Sequence, residues 1–142
     1  MMILLEEGVL LTNILIADDH AVVREGIKQI LSGTSDMVVA AEASNGNEVM
    51  DKLSKNEIHL VILDINMPGR NGLDVLRDIK SQRPGLPVLI LSMYPEEQYA
   101  LRVLKAGASG YLSKESAPDE LIKAIRQISQ GKKYIGPSLE EN

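Results

Sequence analysis

Five times along the chain a short apolar run gives way to a stretch whose apolar positions recur every three to four residues. The runs are NILIA (13–17), MVVAAEA (37–43), IHLVILD (58–64), LPVLILS (86–92) and SGYLSK (109–114). Runs of this length, rich in Val, Ile and Leu, predict strands, and the nearly unbroken ones predict strands buried on both faces. The periodic stretches predict helices. Val22, Val23, Gly26, Ile27, Ile30 and Leu31 mark the first, which Gly33 stops, and Val49, Met50 and Leu53 mark a short second helix after Asn45-Gly46. Leu73, Leu76 and Ile79 follow the loop NMPGRNG, and Leu101 and Leu104 precede a C-terminal cap at Gly107. Leu121, Ile122, Ala124, Ile125 and Ile128 form the face of the fifth helix. Ser116 and Asp119, with Pro118 in the first turn, have the spacing of a capping box.

Strand–helix alternation without a long structureless gap predicts an α/β fold, a five-stranded parallel sheet with right-handed crossovers and helices on both faces. Ligands of such sheets bind beyond the carboxyl ends of the strands. Those ends carry Asp18 and Asp19, Asp64, Ser92 and Lys114. Each has an ordinary explanation taken singly: acids at a helix N-terminus, a turn former before Pro68-Gly69, a strand-end charge, a loop hydroxyl. Their convergence on one rim does not.

Three carboxylates at one edge repel each other and imply a cation. With oxygen ligands and His20 as the only nearby imidazole, the expected ion is hard, and Mg²⁺ suits one or two carboxylates plus waters. A metal, a lysine and a hydroxyl around an aspartate are the parts that stabilise a phosphoryl group in transfer, with the central Asp64 as nucleophile.

Composition narrows the partners. The 142 residues carry 15 Lys+Arg against 20 Asp+Glu, a net charge of -5, which argues against a nucleic-acid surface on this chain. There is no cysteine, which excludes disulfides and thiolate chemistry and fits the cytoplasm. No segment reaches the length of a membrane span, and residues 1–12, MMILLEEGVLLT, lack the basic start of a signal peptide.

From residue 13 to about 131 the chain resembles the receiver domain of bacterial two-component response regulators. The resemblance rests on Asp18-Asp19, on DINMPGRNG from Asp64, on Ser92, and on GASGYLSK closing on Lys114. The DDH triplet, GASGYLSKE and the terminal GKKYIGPSL resemble the NarL/FixJ (LuxR-type) subgroup. The resemblance implies a flavodoxin-like strand order 2-1-3-4-5, with Asp64 as phosphoacceptor for a sensor histidine kinase. It implies Mg²⁺ on Asp18, Asp19, Asp64 and the Asn66 backbone carbonyl. Ser92 and Lys114 would contact the phosphoryl group, and Tyr111 would be the aromatic switch residue. It further implies a phosphorylation-dependent homodimer, and DNA binding only through a C-terminal helix-turn-helix domain outside this chain. Two departures stand out: Ser replaces the commoner Thr at 92, and Glu115 replaces a common Pro after the lysine, where the family often has a cis bond.

On this reading residues 1–12 are an extension of unknown role, 13–131 the receiver, and 132–142 the start of a linker. Three other readings compete. A flavodoxin-like cofactor binder needs a phosphate-cradling loop after the first strand, where ADDHAV offers two repelling carboxylates. A phosphatase-type hydrolase needs a second carboxylate close behind its nucleophile, and Asn66 stands two residues on. The chain is therefore expected not to be an enzyme on external substrates, beyond assisting its own phosphorylation and slow dephosphorylation. An unphosphorylated pseudo-receiver would carry the same fold. His20 is expected at the surface or behind the ligands, His59 has no assigned role, and Tyr94 is a candidate shield of the phosphoryl group.

Overall fold

Alternation inside the apolar runs decides which helix covers which face of the sheet. The computed structural model describes residues 3–4, 10–93 and 96–135, with the side chains of 3, 4, 10 and 96–99 excepted. In chain order the elements are β1 (Ile3–Leu4), β2 (Leu10–Ala17), α1 (Ala21–Ser32), β3 (Met37–Ala43), α2 (Gly46–Lys55) and β4 (Leu60–Asp64). They continue as α3 (Gly72–Gln82), β5 (Val88–Ser92), α4 (Glu96–Lys105), β6 (Gly110–Ser113), α5 (Ala117–Ser129) and β7 (Tyr134–Ile135). Ile14 and Ile16 of β2, Leu60 and Ile62 of β4, and Leu89 and Leu91 of β5 point to one side. There they pack on Ile27 and Leu31 of α1 and on Leu121, Ala124, Ile125 and Ile128 of α5. Leu15, Val61, Leu63, Val88 and Ile90 point to the other side, against Val49 and Leu53 of α2, Val75, Leu76 and Ile79 of α3, and Val103 of α4. Every residue of β4 and of β5 is buried, as unbroken apolar runs require.

The parallel strands lie in the order β3-β2-β4-β5-β6, which is 2-1-3-4-5 counted over the five. Two short strands extend this sheet. β7 runs parallel to β6, with Tyr134 beside Gly110, and β1 pairs antiparallel with Leu10 and Leu11. Two residues are too few to leave a periodic signal. The first strand also begins at Leu10 rather than 13, inside the stretch read as an extension.

Two sequence-derived caps meet different fates. Gly107 has φ 107°, and behind it Gly107 N–H bonds Leu104 O while Ala108 N–H bonds Val103 O, the paired bonds of a Schellman cap. The capping box at Ser116 does not form. Ser116 sits in the right-handed helical region, and its hydroxyl pairs instead with the Ser113 hydroxyl at 2.9 Å. No cis peptide bond occurs among the described residues, the Lys114–Glu115 bond included.

Gly72 ties this frame to the site. A Cβ there would lie 2.5 Å from the Ile65 carbonyl oxygen and 2.6 Å from Ile65 Cα, and backbone cannot step aside as a flexible side chain can. Gly72→Ala is expected to cost about 3 kcal/mol, near the upper end for overpacking, read as a lowered urea midpoint.

Candidate functional site

Why two adjacent carboxylates close β2 is answered by where their atoms go. Asp18 is 1% exposed and splits its duties. Its Oδ1 accepts the His20 backbone N–H at 2.8 Å, holding the turn into α1, whereas Oδ2 faces the Lys114 Nζ at 3.0 Å. The helix-capping explanation therefore covers one oxygen only. Asp64, also 1% exposed, is divided the same way. Oδ1 accepts the Asn66 N–H at 2.9 Å and Oδ2 accepts from Lys114 Nζ at 3.1 Å. One ammonium thus bridges two buried carboxylates from strands adjacent in the sheet.

The electrostatics follow from burial. Removal from water pushes the Asp64 carboxyl above its ordinary range, and the Asp18 charge adds to this, against the Asn66 N–H and Lys114. Burial pulls on Lys114 in the opposite sense, but its bonds to Asp18 and Asp64 and their charges prevail, and it is held above the usual lysine value. Asp18 Oδ2 and Asp19 Oδ1 are buried without a hydrogen-bond donor, although Lys114 and His20 respectively stand within ion-pair range. Buried carboxylate oxygens with ion-pair contacts alone are what an oxygen-seeking cation needs. Asp18, Asp19, His20 and Asp64 each offer one ligand atom, all within 4.8 Å of one another.

The remaining predicted residues fall around this centre. Ser92 is fully buried at the end of β5, beside Ser113 of β6, and its carbonyl accepts the Lys114 N–H at 2.8 Å. Asn66 sits in the loop after β4, where its own N–H is already on Asp64. Tyr111, 1% exposed, lies inside the core on the α4 side with Ala100 and Val103. Tyr94 lies outside the described residues. His59 has a plain structural part: its Nδ1 accepts the Asn13 N–H at 2.9 Å, continuing the pairing of β2 with the β4 side.

Sequence reasoning missed Arg24. From the second turn of α1 its Nη1 donates to the Asp18 carbonyl at 2.7 Å, and its Nε donates to Glu42 of β3 at 2.9 Å. Its partners lie 6 and 18 residues away, so only a charged residue between Val23 and Ile27 could have drawn notice. Arg24→Ala leaves the Asp18 carbonyl without this donor and Glu42 with Lys28 alone, and is expected to cost about 1–2 kcal/mol. Urea titration measures the loss.

Residues 14–126 match the family described as the Response regulator receiver domain. The chain is 40% identical over 130 residues to the transcriptional regulatory protein DegU of Brevibacillus brevis, covering 92% of this chain and 55% of that protein. It is 42% identical over 128 residues to the oxygen regulatory protein NreC of Staphylococcus epidermidis, covering 89% and 59%. Among solved structures, the isolated REC domain of RcsB from Salmonella enterica serovar Typhimurium with phosphomimetic BeF3- superposes with a TM-score of 0.85 at 30% identity, covering 92% of this chain and 97% of that one. A LuxR-family two-component response regulator from Aurantimonas sp. SI85-9A1 gives 0.86 at 31% identity, covering 92% and 94%. The chain belongs to the response regulator receiver family of two-component phosphorelays, in the NarL/FixJ (LuxR-type) subgroup. It spans somewhat more than half the length of those curated relatives.

Proposed function

We propose that Asp64 is the phosphoacceptor and that Asp18, Asp19, Asp64 and the Asn66 carbonyl hold Mg²⁺. The observation that carries this reading is the pair of buried carboxylates, Asp18 and Asp64, facing one lysine across the strand ends. When bound, the ion supplies positive charge to the transferring phosphoryl oxygens and favours the ionised form of Asp64. Asp64 attacks with one carboxylate oxygen. The phosphorus–nitrogen bond of a kinase phosphohistidine breaks as the oxygen–phosphorus bond forms, and the imidazole leaves.

Lys114 is then released from its two carboxylates to the phosphoryl oxygens, and Ser92 adds its hydroxyl. These movements reach β6 and Tyr111, shifting a two-state equilibrium read out on the α4–β6–α5 side. Exposed Val22 and Met93, 84% and 70% accessible at the rim beside Asp19 and Ser92, offer a docking kinase apolar contact. RcsB dimers have been seen bound to DNA, and for this chain we infer phosphorylation-dependent homodimerisation, with DNA reached only through a domain beyond residue 142. Residues 13–131 are the receiver in this reading, 132–142 start the linker, and 1–12 form an extension. The chain is a phosphoacceptor rather than an enzyme on external substrates, and it works in the cytoplasm. Among the described residues no helix is long and apolar enough to cross a membrane.

Incubation with acetyl phosphate tests the reading by intact mass. One added phosphoryl group with Mg²⁺, and none when the ion is chelated, is expected. No gain under either condition would leave a pseudo-receiver.

A further inference from the structure

His20 is the one group around the acidic rim that the phosphoacceptor reading leaves without a task. Its side chain is 58% exposed, so burial does not hold it there. Even so, Nδ1 lies 3.2 Å from Asp18 Oδ1 and 3.2 Å from Asp19 Oδ1. Adjacent ligand atoms of an octahedral ion with bonds near 2.1 Å are about 3.0 Å apart. The imidazole nitrogen is within hydrogen-bond range of Asp18 Oδ1 and stands from each of the two carboxylate oxygens at nearly the separation of a neighbouring ligand. Independently, Asp19 Oδ1 is buried in the same cluster without a hydrogen-bond donor, Asp18 Oδ2 has the Lys114 ammonium as its charged neighbour, and an Asp64 ligand atom completes the set within 4.8 Å.

We propose that His20 Nδ1 is a direct ligand of the divalent-ion site and biases it toward borderline transition ions of the Mn²⁺ and Co²⁺ class over Mg²⁺. The inference rests on the acidic rim being the metal site, as proposed above. The chemistry is that of ligand type. Mg²⁺ seeks oxygen and gives up water reluctantly, so replacing one of its waters by an imidazole gains it little. Affinity of nitrogen ligands rises from Mn²⁺ to Co²⁺, so the contribution of His20 grows along that series. The tautomer that carries its proton on Nε2 is the one that would present the Nδ1 lone pair to an ion. The backbone of residue 20 is anchored beside the pair, because the His20 N–H donates to Asp18 Oδ1 at 2.8 Å.

The test compares dissociation constants for Mg²⁺, Mn²⁺ and Co²⁺ in the wild-type chain, His20→Ala and His20→Gln. Free Mn²⁺ is read by its electron paramagnetic resonance signal and the other ions by competition, with unchanged circular dichroism as the check of folding. His20→Ala is expected to weaken Mg²⁺ less than twofold, Mn²⁺ several-fold and Co²⁺ at least tenfold. His20→Gln, which offers an oxygen, is expected to keep Mg²⁺ affinity and lose the transition-ion preference. Electron spin echo modulation from an imidazole ¹⁴N should be present in the Mn²⁺-bound wild type and absent from both variants. Equal losses for all three ions, or no ¹⁴N modulation in the wild type, would overturn the proposal while leaving phosphoryl uptake with Mg²⁺ intact. A wild-type chain that binds none of the ions would overturn both this proposal and the metal assignment beneath it.

Discussion

Asp64→Asn is expected to abolish phosphoryl uptake while leaving the fold in place. The amide oxygen is a poor nucleophile, and no other carboxylate occupies an equivalent position. Asp18 uses Oδ1 for the turn into α1 and Oδ2 toward Lys114, and Asp19 stands off to the His20 side. The asparagine is close in shape and its side-chain oxygen can still accept the Asn66 N–H, so the loop after β4 keeps its anchor. Burial already disfavours charge at position 64, and the neutral amide removes one of two carboxylates that repel across the site. The metal-free variant should therefore melt slightly above the wild type. A gain of about 1 kcal/mol corresponds to roughly 3–4 °C for a domain of this size. Intact mass gives the first result and calorimetry in chelator the second; retained uptake with unchanged mass gain would remove Asp64 from its role.

Lys114→Ala is expected to produce the largest loss of stability in the metal-free chain. The lysine is the only cation within ion-pair range of Asp64 among the described residues, and it also faces Asp18. Its removal leaves two nearly fully buried carboxylates facing each other. Breaking a buried pair by deleting one partner costs about 3 kcal/mol or more. The pH dependence has a definite sign. The Asp64 carboxyl is already held above its ordinary value by burial, and losing the opposing Lys114 charge raises it further. A group whose folded value is raised contributes stability where it is protonated, and the variant loses that stability as pH rises through the raised Asp64 value. The deficit against wild type should shrink toward acid pH. Mg²⁺ supplies the missing charge, and at a hundredfold excess over its dissociation constant it returns about 2.7 kcal/mol. Urea denaturation in chelator and in Mg²⁺, at neutral and acid pH, measures all three effects. A deficit that neither acid nor Mg²⁺ reduces would show that Lys114 acts through packing rather than charge.

The parts legible in the sequence were those whose signal is local or chemically costly. Asp18, Asp64 and Lys114 stood out because charge at the end of an apolar strand needs a reason, and the structure brings all three to one ammonium-centred contact. Strand–helix alternation predicted the parallel sheet, and the family resemblance supplied its order. What escaped depended on contacts between distant residues or on competition at short range. Arg24 takes its meaning from Glu42 across on β3. β7 is two residues long and lies along the outer side of β6, and its Tyr134 hydroxyl hydrogen-bonds Glu120 of α5. Ser116 matched a capping pattern, but the Ser113 hydroxyl three residues earlier captured its side chain. His20 was placed at the surface, which its exposure bears out, yet exposure concealed its position against two carboxylates.

The most direct test of the phosphoacceptor is chemical. The chain is incubated with acetyl phosphate and Mg²⁺, reduced with borohydride, digested, and its peptides sequenced by mass spectrometry. Borohydride converts an aspartyl-phosphate to homoserine, so the modified residue records itself. Homoserine at position 64 and nowhere else is the predicted result. Homoserine at 18 or 19, or a fully unmodified digest from a chain shown to be folded and to bind Mg²⁺, would contradict it.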